Sequence, residues 1–405
     1  MLKVIGGLAI FNVIGQFLQF AAQPLLARLY TPADFGVVAQ VIFLTSVCSI
    51  LGTLQIHNYL ILEKDSLNRQ RMESAGYIIA FSFSLVSSLF FYFFSGFIFG
   101  PGVDAKVPFF ASIILFLTCV ANMFRGSLTA DGDFRPMMVY TVVRSFALII
   151  TQCVAGWLVF ENGLLYGFIL GEVFAFFAAR PRYFYGVLEC VFFPKIRNAF
   201  SAFCKELKFF LTGTVQELVA VAVALLPLYF IGRAYGNEVG GFFAMAHKLA
   251  WAPVLLASQS ISSVLYRHLS SFPLASLAKS RVINPIFTIP IFLVSSAIAF
   301  FFMPLVFDLF FEKIWSAAGE MSAWLCLAAF SFLAALPARL VYRILKLQKM
   351  QLLIDLLALM VLCSTFFLAD EIDAGGVVKL VAITGVIQNI FHILNVQVLV
   401  RREEK

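Results

Sequence analysis

The feature that most constrains this chain is a series of long apolar runs, separated by short polar breaks, that continues from end to end. A helix needs about 20 apolar residues to cross roughly 30 Å of hydrocarbon. Hydrophobic residues make up 61% of the 405 residues and charged residues only 13%, so the chain is far more apolar than an ordinary soluble domain. The sequence therefore predicts an all-α, polytopic membrane protein with about twelve spans. We place the spans at residues 4–26, 36–62, 75–99, 107–130, 137–160, 164–179, 208–231, 240–264, 284–307, 316–338, 350–369 and 376–399.

The gaps between these spans alternate in charge. Lys and Arg outnumber Asp and Glu in one alternate set, which is Lys3, 63–73, 131–136, 180–207, 265–283, 339–349 and 400–405. Asp and Glu are in the majority in the other set, which is 27–35, 100–106, 161–163, 232–239, 308–315 and 370–375 with Lys379 beside it. Positive gaps lie on the cytoplasmic side of a membrane. Both termini are then cytoplasmic, and the net charge of +7 reflects topology rather than a nucleic-acid partner.

The longest positive gap divides the spans six and six. We predict an N-terminal six-helix bundle at 1–179, a cytoplasmic interfacial linker at 180–207 and a C-terminal six-helix bundle at 208–405. The linker mixes aromatic residues with Arg and Lys, which suits a segment lying on the inner headgroups. A loop that only fixes topology would look the same, and both interpretations stay open.

A weak internal repeat relates the two halves. At one constant offset, four residues of the first half match four of the second: Arg28, Tyr30, Gly36 and Ala39 with Arg233, Tyr235, Gly241 and Ala244. At a slightly larger offset, Arg125 and Arg135 match Arg339 and Lys349. Each match falls at an equivalent place in its half, which favours duplication. Parallel repeats are a known plan for transporters whose substrate binds between the halves.

Polar residues inside the predicted spans follow helical spacing, so that each set lies on one face of one helix. The four stripes are Asn12, Gln16, Gln19 and Gln23; Thr118, Asn122, Arg125 and Thr129; Thr141, Arg144 and Thr151, with Leu148 in the same register and Ser145 and Gln152 alongside; and Thr384, Gln388, His392 and Asn395. Such stripes either join helices by hydrogen bonds or line a polar cavity. Because three stripes fall in the first half and two of these contain Arg, we favour a cavity there.

Some charged residues in the spans can be placed by depth. Arg144 and Glu172 each lie about seven residues from the inner ends of consecutive spans, which is about 10 Å deep at 1.5 Å per residue. Equal depth predicts an ion pair. Arg125 and Asp355 lie closer to the inner ends, and each either snorkels or enters the cavity.

Three further residues are ambiguous. Lys248 and Glu217 lie on consecutive spans at depths that permit a direct pair only through helix tilt or a bridging water. His57 lies near the inner end of its span, and a lone His is more often structural than a proton carrier.

The sequence carries no motif for nucleotide binding, zinc hydrolysis or a nucleophilic serine. Five of the seven cysteines fall within spans, and Cys190 and Cys204 fall in a cytoplasmic gap. We therefore expect no disulfide, no metal cluster, no cofactor and no enzymatic activity.

Five segments, in order, resemble one known family: LLARLYTPADFG (25–36), GTLQIHNYLILE (52–63), RGSLTADGDFRPM (125–137), PLYFIGRAYGNEVGGFFAMAHKLAWAP (227–253) and FFEKIWSAAGEM (310–321). The fourth segment is the most specific. Together they resemble the polysaccharide and O-antigen flippases of the multidrug/oligosaccharidyl-lipid/polysaccharide exporter superfamily.

The resemblance implies two six-helix bundles that form a V around a central cavity. It also implies an undecaprenyl-diphosphate-linked oligosaccharide as substrate, moved between leaflets of a bacterial inner membrane for O-antigen, lipopolysaccharide, capsule or exopolysaccharide synthesis. A polysaccharide polymerase and glycosyltransferases of the same pathway would be its partners.

The family's cavity is cationic, which suits an anionic diphosphate. The resemblance implies that Arg28, Arg125, Arg144 and Lys248, which fall on or beside the matching segments, bind the substrate. The polar stripes add the amides Asn122, Gln16, Gln19 and Gln23 to the expected substrate-binding set, and His57 is its last member. His57 departs from the pattern, because many relatives carry an arginine near that place. Glu172 and Glu217 are candidates for ion coupling.

Two alternatives require different features. A multidrug antiporter of the same superfamily would need acidic residues in its cavity for cation exchange, whereas the stripes of the first half carry arginines. A membrane-embedded polysaccharide polymerase or ligase would need a long outer loop for its active site, and the outer gaps here are all short.

Overall fold

The computed structural model describes residues 2–100, 103–180, 203, 206–270, 284–345, 347–369 and 371–403. These residues form helices and no strand. The helices are α1 (Leu2–Ala21), α2 (Gln23–Leu29), α3 (Pro32–Thr53), α4 (Ile56–Leu62), α5 (Ser66–Phe93), α6 (Ser95–Ile98), α7 (Val107–Asp131), α8 (Phe134–Trp157), α9 (Gly163–Ala179), α10 (Leu207–Tyr235), α11 (Asn237–Ser270), α12 (Pro285–Phe310), α13 (Ser316–Ile344), α14 (Gln348–Phe367) and α15 (Ala374–Glu403). A short 3-10 helix, Lys313–Trp315, precedes α13.

Within the described residues, 11 segments are long and apolar enough to cross a membrane, and α9 is a shorter apolar helix of 17 residues. About 17 residues is the lower end of the range for a spanning helix. Helices satisfy their backbone donors and acceptors internally, which the hydrocarbon core requires. The chain is a multi-pass, all-α membrane protein, and the predicted fold class is confirmed.

The predicted span 36–62 is broken, which corrects the sequence analysis. Between α3 and α4, Leu54 and Gln55 have positive φ angles of 44° and 62°. For residues other than glycine this left-handed conformation costs about 1–2 kcal/mol per residue. The Gln55 side chain is buried, accepts a hydrogen bond from Asn58 Nδ2 and lies against Gly213 of α10. This packing holds the strained turn in place.

The chain divides into two compact units. Unit 1 consists of Met1–Tyr30 with Val37–Val221, and unit 2 of Thr31–Gly36 with Ala222–Lys405. The boundary falls inside α3 and inside α10, so each of these helices belongs to both units.

The predicted division into 1–179, 180–207 and 208–405 stays a prediction. Most of the predicted linker lies outside the described residues, and so do Cys190 and Cys204.

In unit 1, α7 is buried by helices on several sides. Phe124 of α7 packs against Tyr140 of α8 and Phe176 of α9, with 5.5 Å between ring centroids in each pair. On another side, Gly126 of α7 meets the backbone of His57 in α4 so closely that a Cβ would overlap it. The absence of a side chain at Gly126 therefore lets α4 lie directly on α7.

In unit 2, α13 packs against α11, α12 and α15. At its start, the fully buried Trp315 ring contacts Phe35 at 5.3 Å and Phe242 at 5.8 Å. Further along, Tyr342 of α13 and Val396 of α15 are fully buried in one cluster. This packing encloses a polar face of α15 inside the unit.

Candidate functional site

The predicted ion pair between Arg144 and Glu172 is confirmed. Arg144 of α8 donates from Nε to Oε1 of Glu172 in α9 at 2.5 Å. The second carboxylate oxygen, Oε2, accepts a hydrogen bond from the hydroxyl of Tyr140. Glu172 is buried, whereas the Arg144 side chain is 31% exposed. The carboxylate is therefore neutralised inside the unit while the guanidinium still reaches its surface.

Small residues on α9 allow this pair to form. A Cβ at Gly171 would lie 3.0 Å from the Leu148 side chain and 3.3 Å from the Arg144 carbonyl oxygen. A Cβ at Gly167 would overlap the Gln152 side chain. Close approach of the two backbones brings Glu172 within reach of α8.

Arg125 of α7 points away from the nearer end of its helix. Its Nε donates to the Ala121 carbonyl oxygen at 3.3 Å, and a terminal nitrogen donates to Asn122 Oδ1 at 2.7 Å. Both acceptors lie towards the middle of α7, whereas the helix ends at Asp131. A snorkelling arginine would extend the other way, towards the nearer interface. The side chain is exposed, and it makes no ion pair with a described carboxylate.

His57 lies beside this arginine. The Arg125 charge acts electrostatically on the imidazole, and His57 Nδ1 is buried with no hydrogen-bond partner among the described residues. Arg125, Asn122 and His57 thus form one group on α7 and α4.

The amides of α1 are used partly for packing. Gln19 donates from Nε2 to Ser145 Oγ of α8 at 3.0 Å, and Gln23 donates to the Gln19 carbonyl oxygen at 2.5 Å. Gly15 also faces the Ser145 hydroxyl. Gln19 therefore joins two helices, as one interpretation of the stripe expected. Gln16 is half-buried and makes no hydrogen bond to any described residue.

Arg28, Lys248 and Glu217 are not part of these groups. Arg28 is exposed in the last turn of α2, where a cation also complements the helix dipole. Lys248 is exposed on α11 in unit 2. In unit 1, Glu217 of α10 has a buried carboxylate oxygen, Oε2, without a hydrogen-bond partner in the described ranges.

Sequence reasoning missed Tyr140 as a partner of Glu172. It precedes Arg144 by one helical turn, so a shared face could have been read from the spacing. Tyrosine is common in membrane spans, however, and gave no separate signal. No group of three or more His, Cys, Asp or Glu side chains that could hold a metal ion occurs among the described residues.

Comparison with known proteins adds a family match. The family described as "polysaccharide biosynthesis protein" matches residues 25–318. Comparison with curated protein sequences gives no match.

Several solved structures share the fold. The lipid II flippase MurJ in an inward closed conformation has a TM-score of 0.70 at 15% identity, covering 96% of this chain and 87% of that one. An inward-facing multidrug resistance MATE family transporter of the MOP superfamily has a TM-score of 0.64 at 15% identity, covering 98% and 94%. A MOP superfamily transporter from Pyrococcus furiosus, described as having a binding pocket of reverse polarity, has a TM-score of 0.58 at 14% identity, covering 100% and 96%.

Proposed function

The chain belongs to the polysaccharide biosynthesis protein family, and from this premise we propose that it is a flippase for lipid-linked oligosaccharides. Its substrate would be an O-antigen, capsule or exopolysaccharide repeat unit on undecaprenyl diphosphate. The flippase would move this unit from the inner to the outer leaflet of a bacterial cytoplasmic membrane, with both of its own termini cytoplasmic.

The observation that carries the proposal is the direction of Arg125. An exposed guanidinium that folds towards the middle of a spanning helix, with only neutral oxygens as partners, leaves a positive charge at membrane depth. Such a charge is costly in hydrocarbon and usually faces a water-filled cavity or a ligand. An anionic ligand would neutralise it.

The chemistry of the substrate explains why these residue types are needed. A sugar–diphosphate head group cannot enter hydrocarbon without losing its hydration. Arginine presents a planar fork that binds phosphate oxygens bidentately. Arg125 and the exposed part of Arg144 would bind the diphosphate, and the amides of Asn122 and Gln16 would bind sugar hydroxyls. Arg28 and His57 of unit 1, and separately the exposed Lys248 of unit 2, are further candidate ligands for the head group, and the lipid tail would stay in the bilayer.

The fold supports the same conclusion. A protein of similar fold is a lipid II flippase, and a lipid-linked saccharide is the substrate class proposed here. Transporters built from two repeats expose a central site alternately to each side. A polysaccharide polymerase and glycosyltransferases would act on the same repeat unit before and after this step.

The competing function is a multidrug cation antiporter, since MATE transporters share the fold. Glu172 argues against it, because its two carboxylate oxygens are taken by Arg144 and Tyr140. A neutralised carboxylate has little attraction for a cationic drug. Glu217, with one unpartnered oxygen, is the remaining candidate for ion coupling in unit 1.

Transport in vesicles tests the proposal directly. The purified chain would be reconstituted with a fluorescent undecaprenyl-diphosphate oligosaccharide, and an impermeant quencher would report which leaflet holds the label. We expect protein-dependent transfer of the label, lost in Arg125→Ala. Transfer no faster than in protein-free vesicles, together with uptake of a cationic dye, would support the antiporter instead.

A further inference from the structure

A second group of charged residues lies inside unit 2, apart from the site described above. Its centre is Asp355 of α14, which is 5% exposed, and His392 of α15, which is fully buried. Arg339 of α13 is the third member. Placing a carboxylate, an imidazole and a guanidinium inside a membrane protein has a high free-energy cost, and such groups commonly mark ion or proton pathways.

His392 and Arg339 both approach the same oxygen atom, Oδ1 of Asp355. Asp355 Oδ1 accepts from Gln388 Nε2 at 2.7 Å and from His392 Nε2 at 3.0 Å, and the Arg339 guanidinium lies 3.8 Å away. The imidazole is therefore within hydrogen-bond distance of the carboxylate, whereas the guanidinium is beyond it. Two potential cations thus compete for one acceptor.

The orientation of His392 leaves its other ring nitrogen open. When Nε2 donates to Asp355, the neutral ring has an unprotonated Nδ1 with a free lone pair. Nδ1 is buried and has no hydrogen-bond partner among the described residues, and the same holds for the Tyr342 hydroxyl. The Tyr342 ring packs edge-on against the imidazole at 5.6 Å. The structure therefore contains a buried base that can accept one proton.

Arg339 has a second set of contacts away from Asp355. It donates to Asn389 Oδ1 at 3.2 Å, and its guanidinium lies 5.2 Å from the centre of the Phe332 ring. Asn389 is held in turn by a hydrogen bond to Ser331 Oγ at 2.9 Å. The guanidinium can thus keep these contacts when it moves away from the carboxylate.

The other helices in contact with α15 contribute little charge near His392. On α12, Asp308 is the single charged residue and lies in the last turn. Lys349 is exposed in the first turn of α14, and Lys379 of α15 lies near the opposite end of its helix, over the Trp324 ring. Among the described side chains, Arg339, Asp355 and Tyr342 are the ionisable groups that face the imidazole.

We propose that His392 is a proton-binding site that couples a proton gradient to transport. A proton from water binds Nδ1, and the imidazolium then takes Asp355 as its ion-pair partner in place of Arg339. The donor is a hydronium ion, whose O–H bond breaks as the Nδ1–H bond forms and which leaves as water. Release of the proton to water on the other side reverses this exchange and restores the first pairing, with no change of oxidation state. Arg339, Asp355 and His392 lie on α13, α14 and α15. Each proton cycle therefore switches the ion-pair partner of α14 from α13 to α15 and back. This inference rests on the proposed function, since it assigns the driving ion of that transport.

Proton binding can be measured without transport. The chain has four histidines, so replacing the other three with Gln leaves His392 as the only imidazole. Nitrogen NMR of this protein in nanodiscs, labelled with 15N-histidine, follows Nδ1 as the pH is lowered. We expect conversion from the neutral to the protonated ring, and a displaced titration midpoint when Asp355→Asn is added. A ring that stays neutral to the lowest pH at which the protein remains folded overturns the proposal.

Coupling is tested in the vesicle assay with an imposed pH gradient. We expect the gradient to accelerate transfer in the native protein, and His392→Gln to abolish that acceleration. Asn395→Ala is the matched control, because Asn395 lies one turn further along the same helix and is not among the hydrogen-bond partners of Asp355 in the described residues. A gradient effect that persists in His392→Gln, or one that only a sodium gradient produces, contradicts proton coupling through this residue.

The two proposals can fail separately. If no transfer occurs under any gradient, the proposed flippase function is wrong, while the NMR titration still decides whether His392 binds a proton.

Discussion

Gly36 and Gly241 make the same contact in reciprocal directions. A Cβ at Gly36 would overlap the backbone of Asn237, the first residue of α11, and a Cβ at Gly241 would overlap the backbone of Pro32, the first residue of α3. Both contacts lie in unit 2. The two glycines are matched by the internal repeat of the sequence, and Pro32 and Asn237 are related by the same offset. The repeat therefore corresponds to a two-fold-like crossing of equivalent helix starts.

Because each glycine meets backbone rather than a side chain, neither neighbour can rotate away. Gly36→Ala and Gly241→Ala should each destabilise the folded protein, by about 1–3 kcal/mol or more, as overpacking does. Thermal unfolding of the purified variants in detergent measures the change. Gly96→Ala in α6 is the control, since a Cβ there meets no atom within 4 Å. Alanine raises helix propensity at all three positions, so equal melting temperatures for the three variants would contradict the crossing.

Arg125 provides a test of the substrate site in cells whose surface polysaccharide depends on this chain. Arg125→Ala should abolish surface polysaccharide and leave protein abundance near normal, because the side chain is exposed, bonds only within its own helix and forms no ion pair with a described carboxylate. Arg125→Lys should restore part of the export, since lysine keeps the charge but loses the bidentate fork.

The control for Arg125 removes a comparable charge elsewhere. Arg69 forms an ion pair at 2.6 Å with Asp131 at the end of α7, and pairs of this partly exposed kind contribute about 0–1 kcal/mol. Arg69→Ala should therefore export normally. Export by Arg125→Ala at the level of Arg69→Ala would mean that Arg125 does not serve the substrate.

Much of this fold could be predicted, because long apolar runs identify the membrane spans and the helical spacing of polar residues identifies the face on which they lie. The Arg144–Glu172 pair followed from depth alone, since equal distances from the helix ends on consecutive antiparallel helices place two side chains side by side. Tyr140 escaped notice because a tyrosine in a span carries no special signal. The burial of Asp355 with His392 required knowledge of how α13, α14 and α15 pack, which spacing within one helix does not contain.

The break at Leu54 and Gln55 could not have been predicted. Neither residue is glycine or proline, so the local sequence favours a continuous helix. The left-handed turn is stabilised by contacts with residues distant in the chain, such as Gly213 of α10. Tertiary packing here overrides the local preference for a continuous helix, and contacts between residues distant in the chain cannot be read from a single sequence.

The topology assigned from charge has a direct test. Lys64 lies in a positive gap and Glu238 in a negative one, and both are exposed in the structure. With the seven native cysteines replaced, Glu238→Cys should react with an impermeant thiol reagent in intact cells. Lys64→Cys should react only after the membrane is permeabilised. The opposite pattern would reverse the orientation and place both termini outside.

The ion pair between Arg144 and Glu172 can be separated from its role in transport. Removing Arg144 leaves the buried Glu172 carboxylate uncompensated, which destabilises a protein by about 3–5 kcal/mol, and removing Glu172 leaves the partly exposed Arg144 without its partner, which costs less. Arg144→Ala and Glu172→Ala should therefore each lower the amount of folded protein in the membrane. Tyr140→Phe should lower it less, because the carboxylate keeps its arginine.

The exchange of Arg144→Glu with Glu172→Arg restores opposite charges at the same separation but moves the guanidinium from α8 to α9. We expect it to recover abundance, measured by quantitative blotting of membranes, more fully than surface polysaccharide. If the exchange instead loses the sum of what the two single changes lose, the residues do not stabilise each other, and Arg144 would then act on the substrate alone.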